Sequence, residues 1–172
     1  MMQTVQRTTT GRRKACWIST SKIEKDAIEL LMEDHARVKE IFRKFENSSK
    51  RKCAEEKEEM VDEICRELAL HMQLEEEILY PAVRESIEDG GLMNKAMVER
   101  SSVKELILEI QSMNASDPMY EATVAMLNEY VGHHMEEEES RIFPEIKKSK
   151  IDLVEMGSDI TVCKELLAQE WV

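Results

Sequence analysis

The chain has 172 residues, enough for one sizeable core and too few for two comfortable domains. Five glycines and three prolines leave few places to turn, while abundant Leu, Glu, Lys, Met and Ala favour long helices joined by short loops, so the expected class is all-α. A formal net charge of −12 argues against a nucleic-acid-binding surface, which needs clustered Lys and Arg, and no apolar run is long enough to predict a membrane span.

Residues 1–21 are rich in Thr, Ser, Arg and Lys, contain no acid and show no hydrophobic period. They read as a flexible basic arm, with an organelle transit peptide as the alternative; they lack the apolar segment of a secretory signal. The remainder, 22–170, is expected to be one domain. Its first helix should span about 21–46, with Ser21 and Glu24 in capping-box spacing. Ile28, Leu31, His35, Val38, Phe42 and Phe45 recur at alternating steps of three and four, the inward seam of a helix in a bundle. Asn47-Ser48-Ser49 supplies the turn.

A second helix, about 51–79, carries Val61, Ile64, Leu68, His71, Glu75 and Ile78 on a similar seam. Pro81 should limit it, and Asp89-Gly90-Gly91 should form a loop. A third helix, about 92–112, places Ala96, Arg100, Val103, Ile107 and Ile110 inward, and a break follows at 114–118. The fourth, about 119–148, aligns Val124, Leu127, Val131, His134, Glu138 and Arg141. A shorter last helix, about 152–169, offers Leu153, Ile160, Leu166 and Leu167 for packing, as a lid or flank.

One pattern occurs twice. His71 and His134 are each followed by a Glu four residues on (Glu75, Glu138), an aliphatic-aromatic pair, and a Pro ten residues on (Pro81, Pro144). Residues four apart on a helix lie about 40° apart around its axis, so each His and its Glu share one face within reach of a single ion. Both sit on core seams, where an ionised carboxylate costs several kcal/mol unless it is paired or holds a metal (~3–5 kcal/mol when left alone). The first and third helices match as well: Asp34-His35-Ala36-Arg37-Val38-Lys39-Glu40 corresponds to Glu99-Arg100-Ser101-Ser102-Val103-Lys104-Glu105. Two such hairpins related by a pseudo-twofold axis would bring His35, His71, Glu75, His134 and Glu138 to one level of an antiparallel up-down four-helix bundle.

Across about 23–168 these paired motifs resemble the hemerythrin-like family, with its duplicated His and His-x-x-x-Glu hairpin. The resemblance implies a non-haem di-iron centre with bridging Glu and capping His residues. Carried over, the metal ligands would be His35, His71, Glu75, His134 and Glu138. The family's remaining His falls on Arg100, whose guanidinium is always cationic and has no lone pair to donate. Three outcomes compete: two irons with water or a neighbouring carboxylate in the gap, a single ion, or Arg100 paired with Glu75 and Glu138 in place of the second ion. His133 and Glu99 stand about 100° off the seam and read as flank positions. Asp34 is a candidate to orient His35.

Imidazole and carboxylate with open positions suit iron, with manganese or zinc less well matched. No Cys lies on the seam, which disfavours a closed structural zinc site. The leading functional reading is a binding or sensing module for O2 or another small diatomic such as nitric oxide, or for redox state or iron supply. An iron-dependent peroxidase or oxidase and a metal-poor helical interaction domain are the alternatives. No nucleophilic triad or nucleotide loop appears, so no catalytic residue is assigned. The Met residues 72, 93, 97, 113, 119, 126 and 135 read as core filling. Cys16, Cys53, Cys65 and Cys163 lack CxxC spacing and read as spectator thiols of a reduced, cytoplasmic protein.

Overall fold

The computed structural model describes residues 25–48, 52–84 and 90–170, and the basic arm expected at 1–21 lies outside them. Helix α1 is Ala27–Ser48. Helix α2 is Ala54–Leu74, extended by a π-turn at Glu75–Leu79 and a short helical stretch, Tyr80–Val83. Helix α3 is Gly90–Ser112. Helix α4 is Tyr120–Glu137, extended by a second π-turn at Glu138–Ile142 and by Phe143–Lys148. Helix α5 is Leu153–Glu170. The first four make an antiparallel up-down bundle from the hairpins α1/α2 and α3/α4, and α5 lies against α1 and α2. Among the described residues there is no strand, and no helix is long and apolar enough to cross a membrane.

Helix starts differ from the sequence expectation where local hydrogen bonding decides them. Ser21 and Glu24 lie outside the described residues; the observed cap is Asp26, whose Oδ1 accepts from the Glu29 N–H at 2.8 Å while Glu29 accepts from the Asp26 N–H at 3.1 Å. Glu56 caps α2 in the same way by accepting from the Cys53 N–H at 3.1 Å. Gly90 and Gly91, expected in a loop, form the first turn of α3, and Asn47 belongs to α1. At Gly157 of α5 a β-carbon would collide with the Lys25 carbonyl oxygen, so glycine is what lets α5 close onto the start of α1.

The core is in two parts. At one end Val38, Phe42, Ile64, Leu68, Val103, Ile107, Leu127 and Val131 pack together; at the other Ile28, Leu31, Leu79, Ala96, Ile142, Phe143, Ile146 and Ile160 do so. Each large apolar side chain buried there stabilises by about 1.5–3 kcal/mol. Between the halves, at the same level on all four helices, lie His35, His71, Glu75, Arg100, His134 and Glu138, all buried. Such a layer interrupts the core at a cost that hydrophobic packing cannot offset locally, which marks it as functional.

The π-turns shift the seam by one position in both hairpins. The sequence pattern places Ile78 and Arg141 inward; instead Leu79 and Ile142 are fully buried, Ile78 is half-buried and the Arg141 side chain is 54% exposed. Each π-turn inserts one residue's worth of rotation after the Glu, so the next core contact comes one residue later. Pro81 and Pro144 account for the turns. Each lacks an N–H, and its ring would strike a carbonyl of a regular α-turn, so the helix widens ahead of it and continues rather than stopping. Two other expectations are corrected: Leu166 is exposed, with Met156 and Ile160 making the buried contacts of α5, and Met97, Met119 and Met126 lie at the surface. Met72, Met93 and Met135 fill the core as expected.

Candidate metal centre

Four of the predicted residues converge most tightly. His35, His71, Glu75 and Glu138 each present a ligand-type atom within 4.8 Å of those of the other three. His35 Nε2 faces His71 Nε2 at 3.1 Å and Glu138 Oε2 at 3.3 Å, and His71 Nε2 lies 3.1 Å from Glu75 Oε1. His134 stands outside that tight group but looks at the same carboxylates, its Nε2 3.5 Å from Glu138 Oε1 and 3.9 Å from Glu75 Oε2. Arg100, on the seam of α3, puts Nη1 3.6 Å from Glu75 Oε2 and lays its guanidinium over the Tyr80 ring, 3.9 Å from the centroid. It reaches Glu75 and not Glu138, which instead accepts a short hydrogen bond from the Tyr80 hydroxyl.

A surrounding set of carboxylates holds the imidazoles. His35 Nδ1 lies 2.8 Å from Glu139, which Lys39 also contacts at 2.8 Å. Asp34, expected beside His35, instead faces His71 Nδ1 at 3.6 Å and is tied to Lys164 of α5 at 2.5 Å. The reason is rotation: the residue before His35 lies about 100° round α1, toward α2. Glu99 occupies the equivalent place in the second hairpin, 3.4 Å from His134 Nδ1. His133, on the exposed flank, also approaches Glu99, at 3.4 Å. His35 and His134 turn Nδ1 to a carboxylate within hydrogen-bonding reach, an arrangement that faces Nε2 into the layer, while His71 has Asp34 only at ion-pair distance.

The donor set fits a cation. Both oxygens of Glu75, Glu138 Oε2, His71 Nδ1 and His134 Nε2 are buried with no hydrogen-bond partner. Such groups are normally satisfied, and a positive ion would satisfy the inward-facing ones together. Burial alone would lower the affinity of His71 for a proton, yet Glu75, Asp34 and Glu138 outweigh it and push its pKa up to about 10. His134 is likewise raised, against the effect of burial, by Glu75 and Glu138. Burial tends to raise Glu75, but His71 and His134 hold it well below the usual carboxylate range. The layer therefore draws positive charge toward its carboxylates.

Sequence reasoning did not find Tyr80 or Glu139. Comparing the two motif copies offers a signal for each, since Tyr80 aligns with Phe143 and differs from it by one hydroxyl, while Glu139 aligns with Glu76 just after a predicted ligand. The thiols stand apart from this chemistry. Cys65 is buried in the core with its pKa pushed up to about 11 by burial and by Asp62, and Cys163 is raised by burial and Glu77.

The comparisons with known proteins agree with this geometry. A solved structure of a hemerythrin HHE cation binding domain-containing protein from Mycobacterium kansasii aligns with a TM-score of 0.69 at 26% identity, covering 83% of this chain and 86% of that one. A curated relative from Nostoc sp., described as a DNA nickase, is 28% identical over 121 residues, 70% of this chain. The chain spans only 33% of that relative's length. The hemerythrin HHE cation binding domain family matches residues 26–151, and with the two His-x-x-x-Glu hairpins meeting in one buried layer, the chain belongs to that family.

Proposed function

We propose that the layer binds iron, held chiefly by His35, His71, Glu75 and Glu138, with His134 serving a second, weaker position that Arg100 opposes. The observation that carries this is the convergence of His35, His71, Glu75 and Glu138 from three helices at one level, beside which both Glu75 oxygens, Glu138 Oε2 and His134 Nε2 are buried without hydrogen-bond partners. Iron there would supply a redox-active centre able to take O2 or nitric oxide, which suits a binding or sensing role. The protein's own part is to fix the imidazoles through Asp34, Glu99 and Glu139, to exclude water with the two apolar half-cores, and to hold Glu138 through the Tyr80 hydroxyl. Manganese or zinc would meet the same donors but suit them less well. The net charge of −12 does not favour extending the relative's nickase activity to this chain.

Metal content of protein made in iron-replete medium tests the reading. One iron per chain is expected, rising toward two on Arg100→His. Two irons in the unaltered protein would overturn the role given to Arg100, and a chain with no affinity for iron, manganese or zinc would overturn the whole. A second reading, a metal-poor interaction domain, draws on Arg100, which places a fixed positive charge beside Glu75. A chelator separates the two, because an ion bound only to the native state raises the melting temperature by mass action: its removal should lower Tm if iron is resident and leave it unchanged otherwise.

A further inference from the structure

Helix α5 reaches toward the buried layer through Lys164. Its Nζ holds Asp34 Oδ1 at 2.5 Å, and both side chains are largely covered, Lys164 being 25% and Asp34 16% exposed. The other Asp34 oxygen, Oδ2, faces His71 Nδ1 at 3.6 Å. Both of those atoms are buried without a hydrogen-bond partner, so each offers what the other lacks, just beyond bonding range. The second hairpin needs no other helix for the equivalent pair: Glu99, the counterpart of Asp34, is met at 3.3 Å by Lys95, four residues earlier on α3. Four residues before Asp34 stands Leu30, packed against the core, so α1 carries no cation at that place and α5 supplies one. Past Ile160 no described side chain of α5 is fully buried; Cys163 and Leu167 are half-buried, and Val162 and Leu166 are exposed. The pair between Lys164 and Asp34 is therefore a principal tie of this stretch to the bundle.

We infer that Lys164 is a positioning residue for the metal layer: by fixing Asp34 it keeps the second Asp34 oxygen aimed at His71 Nδ1, so docking of the last turns of α5 is linked to binding of an ion by His71. The inference rests on the iron reading. A carboxylate behind a ligand imidazole sets the orientation of the ring and raises its basicity, and an Asp34 free to turn to solvent leaves His71 a weaker ligand. The linkage is reciprocal: whatever factor a docked Lys164 adds to iron affinity, bound iron adds to the docking equilibrium of α5. A Lys164 that was only one more ion pair would give the opposite sign, because removing a cation from beside a cation site strengthens binding there by simple electrostatics.

The test uses the full chain, with iron affinity measured by competition with a chelator and amide hydrogen exchange of residues 161–167 followed by mass spectrometry with and without iron. Lys164→Met should lower iron affinity by about tenfold, the low end for a partner behind a metal ligand, while Lys164→Arg recovers most of it and Lys95→Met causes no loss. In the unaltered chain iron should slow exchange of 161–167 by a similar factor relative to residues 105–112 of α3, and in Lys164→Met that extra slowing should vanish. Unchanged or higher iron affinity in Lys164→Met, an equal loss in Lys95→Met, or exchange of 161–167 indifferent to iron would each overturn the inference. Failure of the unaltered chain to bind iron would overturn the iron reading and this inference with it, whereas iron bound at an affinity indifferent to Lys164 overturns this inference alone. Should Lys164→Met fail to fold, the exchange measurement on the unaltered chain decides.

Discussion

The two hairpins make a nearly complete twofold pair, and they part most sharply where His35 is matched by Arg100. Asp34 faces His71 and Glu99 faces His134; Lys39 pairs with Glu139 and Lys104 with Glu76. Each motif's aromatic ring covers the seam residue of the opposite hairpin, Phe143 stacking on His35 with centroids 5.6 Å apart and Tyr80 lying under Arg100. Where the first hairpin has His35, bonded to Glu139 and aimed at the carboxylates, the second has Arg100, which leaves Glu76 to Lys104 and turns onto Tyr80. The frame thus survives the loss of a ligand, because the supporting ion pairs lie on the helix flanks and do not need the seam residue. What changes is the charge delivered to Glu75.

Making the hairpins alike in the wrong direction should have the largest effect. His35→Arg would place a second guanidinium in the layer, and iron affinity measured by competition with a chelator should fall by more than about 100-fold, exceeding the cost of losing a supporting carboxylate. Iron retained at full affinity would remove His35 from the proposed ligands. The next effect separates the hairpins. Asp34→Ala should weaken iron binding by about 10- to 100-fold, since it frees His71, whereas Glu99→Ala should leave the first ion nearly untouched because His134 serves the weaker position. Equal losses in both would show that the two positions are loaded together. The smallest effect concerns the hydroxyl that distinguishes the aromatic rings. Tyr80→Phe should cost the metal-stripped protein about 2 kcal/mol in denaturant unfolding, the value of a hydrogen bond to a charged group, and less once iron is bound. No difference between the two states would mean that iron does not engage Glu138.

Much of this was legible in the sequence, because the chemistry sits on seams that a helical period exposes. His35, His71, Glu75, Arg100, His134 and Glu138 are all buried at the level that the duplicated spacing predicts. The period failed just past each Glu. It assumes uniform rotation, and the π-turns break that assumption, so Ile78 and Arg141 were placed where Leu79 and Ile142 belong. A charged Arg141 next to an apolar Ile142 was the available warning. The pairing of Asp34 with His71 lay beyond reach for another reason: it crosses between helices, and seam spacing says nothing about which neighbour a flank residue faces. Leu166 misled through composition alone, being apolar on a helix that buries only a narrow strip.

The π-turns also set what kind of change the motifs can absorb. Within the two turns the exposed residues are Glu76, Glu77, Ser140 and Arg141, and these are the ones that can be exchanged within ordinary limits. Deleting one of them would restore regular winding and leave Leu79 or Ile142 on the seam, whereas regular winding at unchanged length would turn Ile78 or Arg141 inward in its place. In each stretch, then, residue number and winding have to change together for the core contact to stay in place.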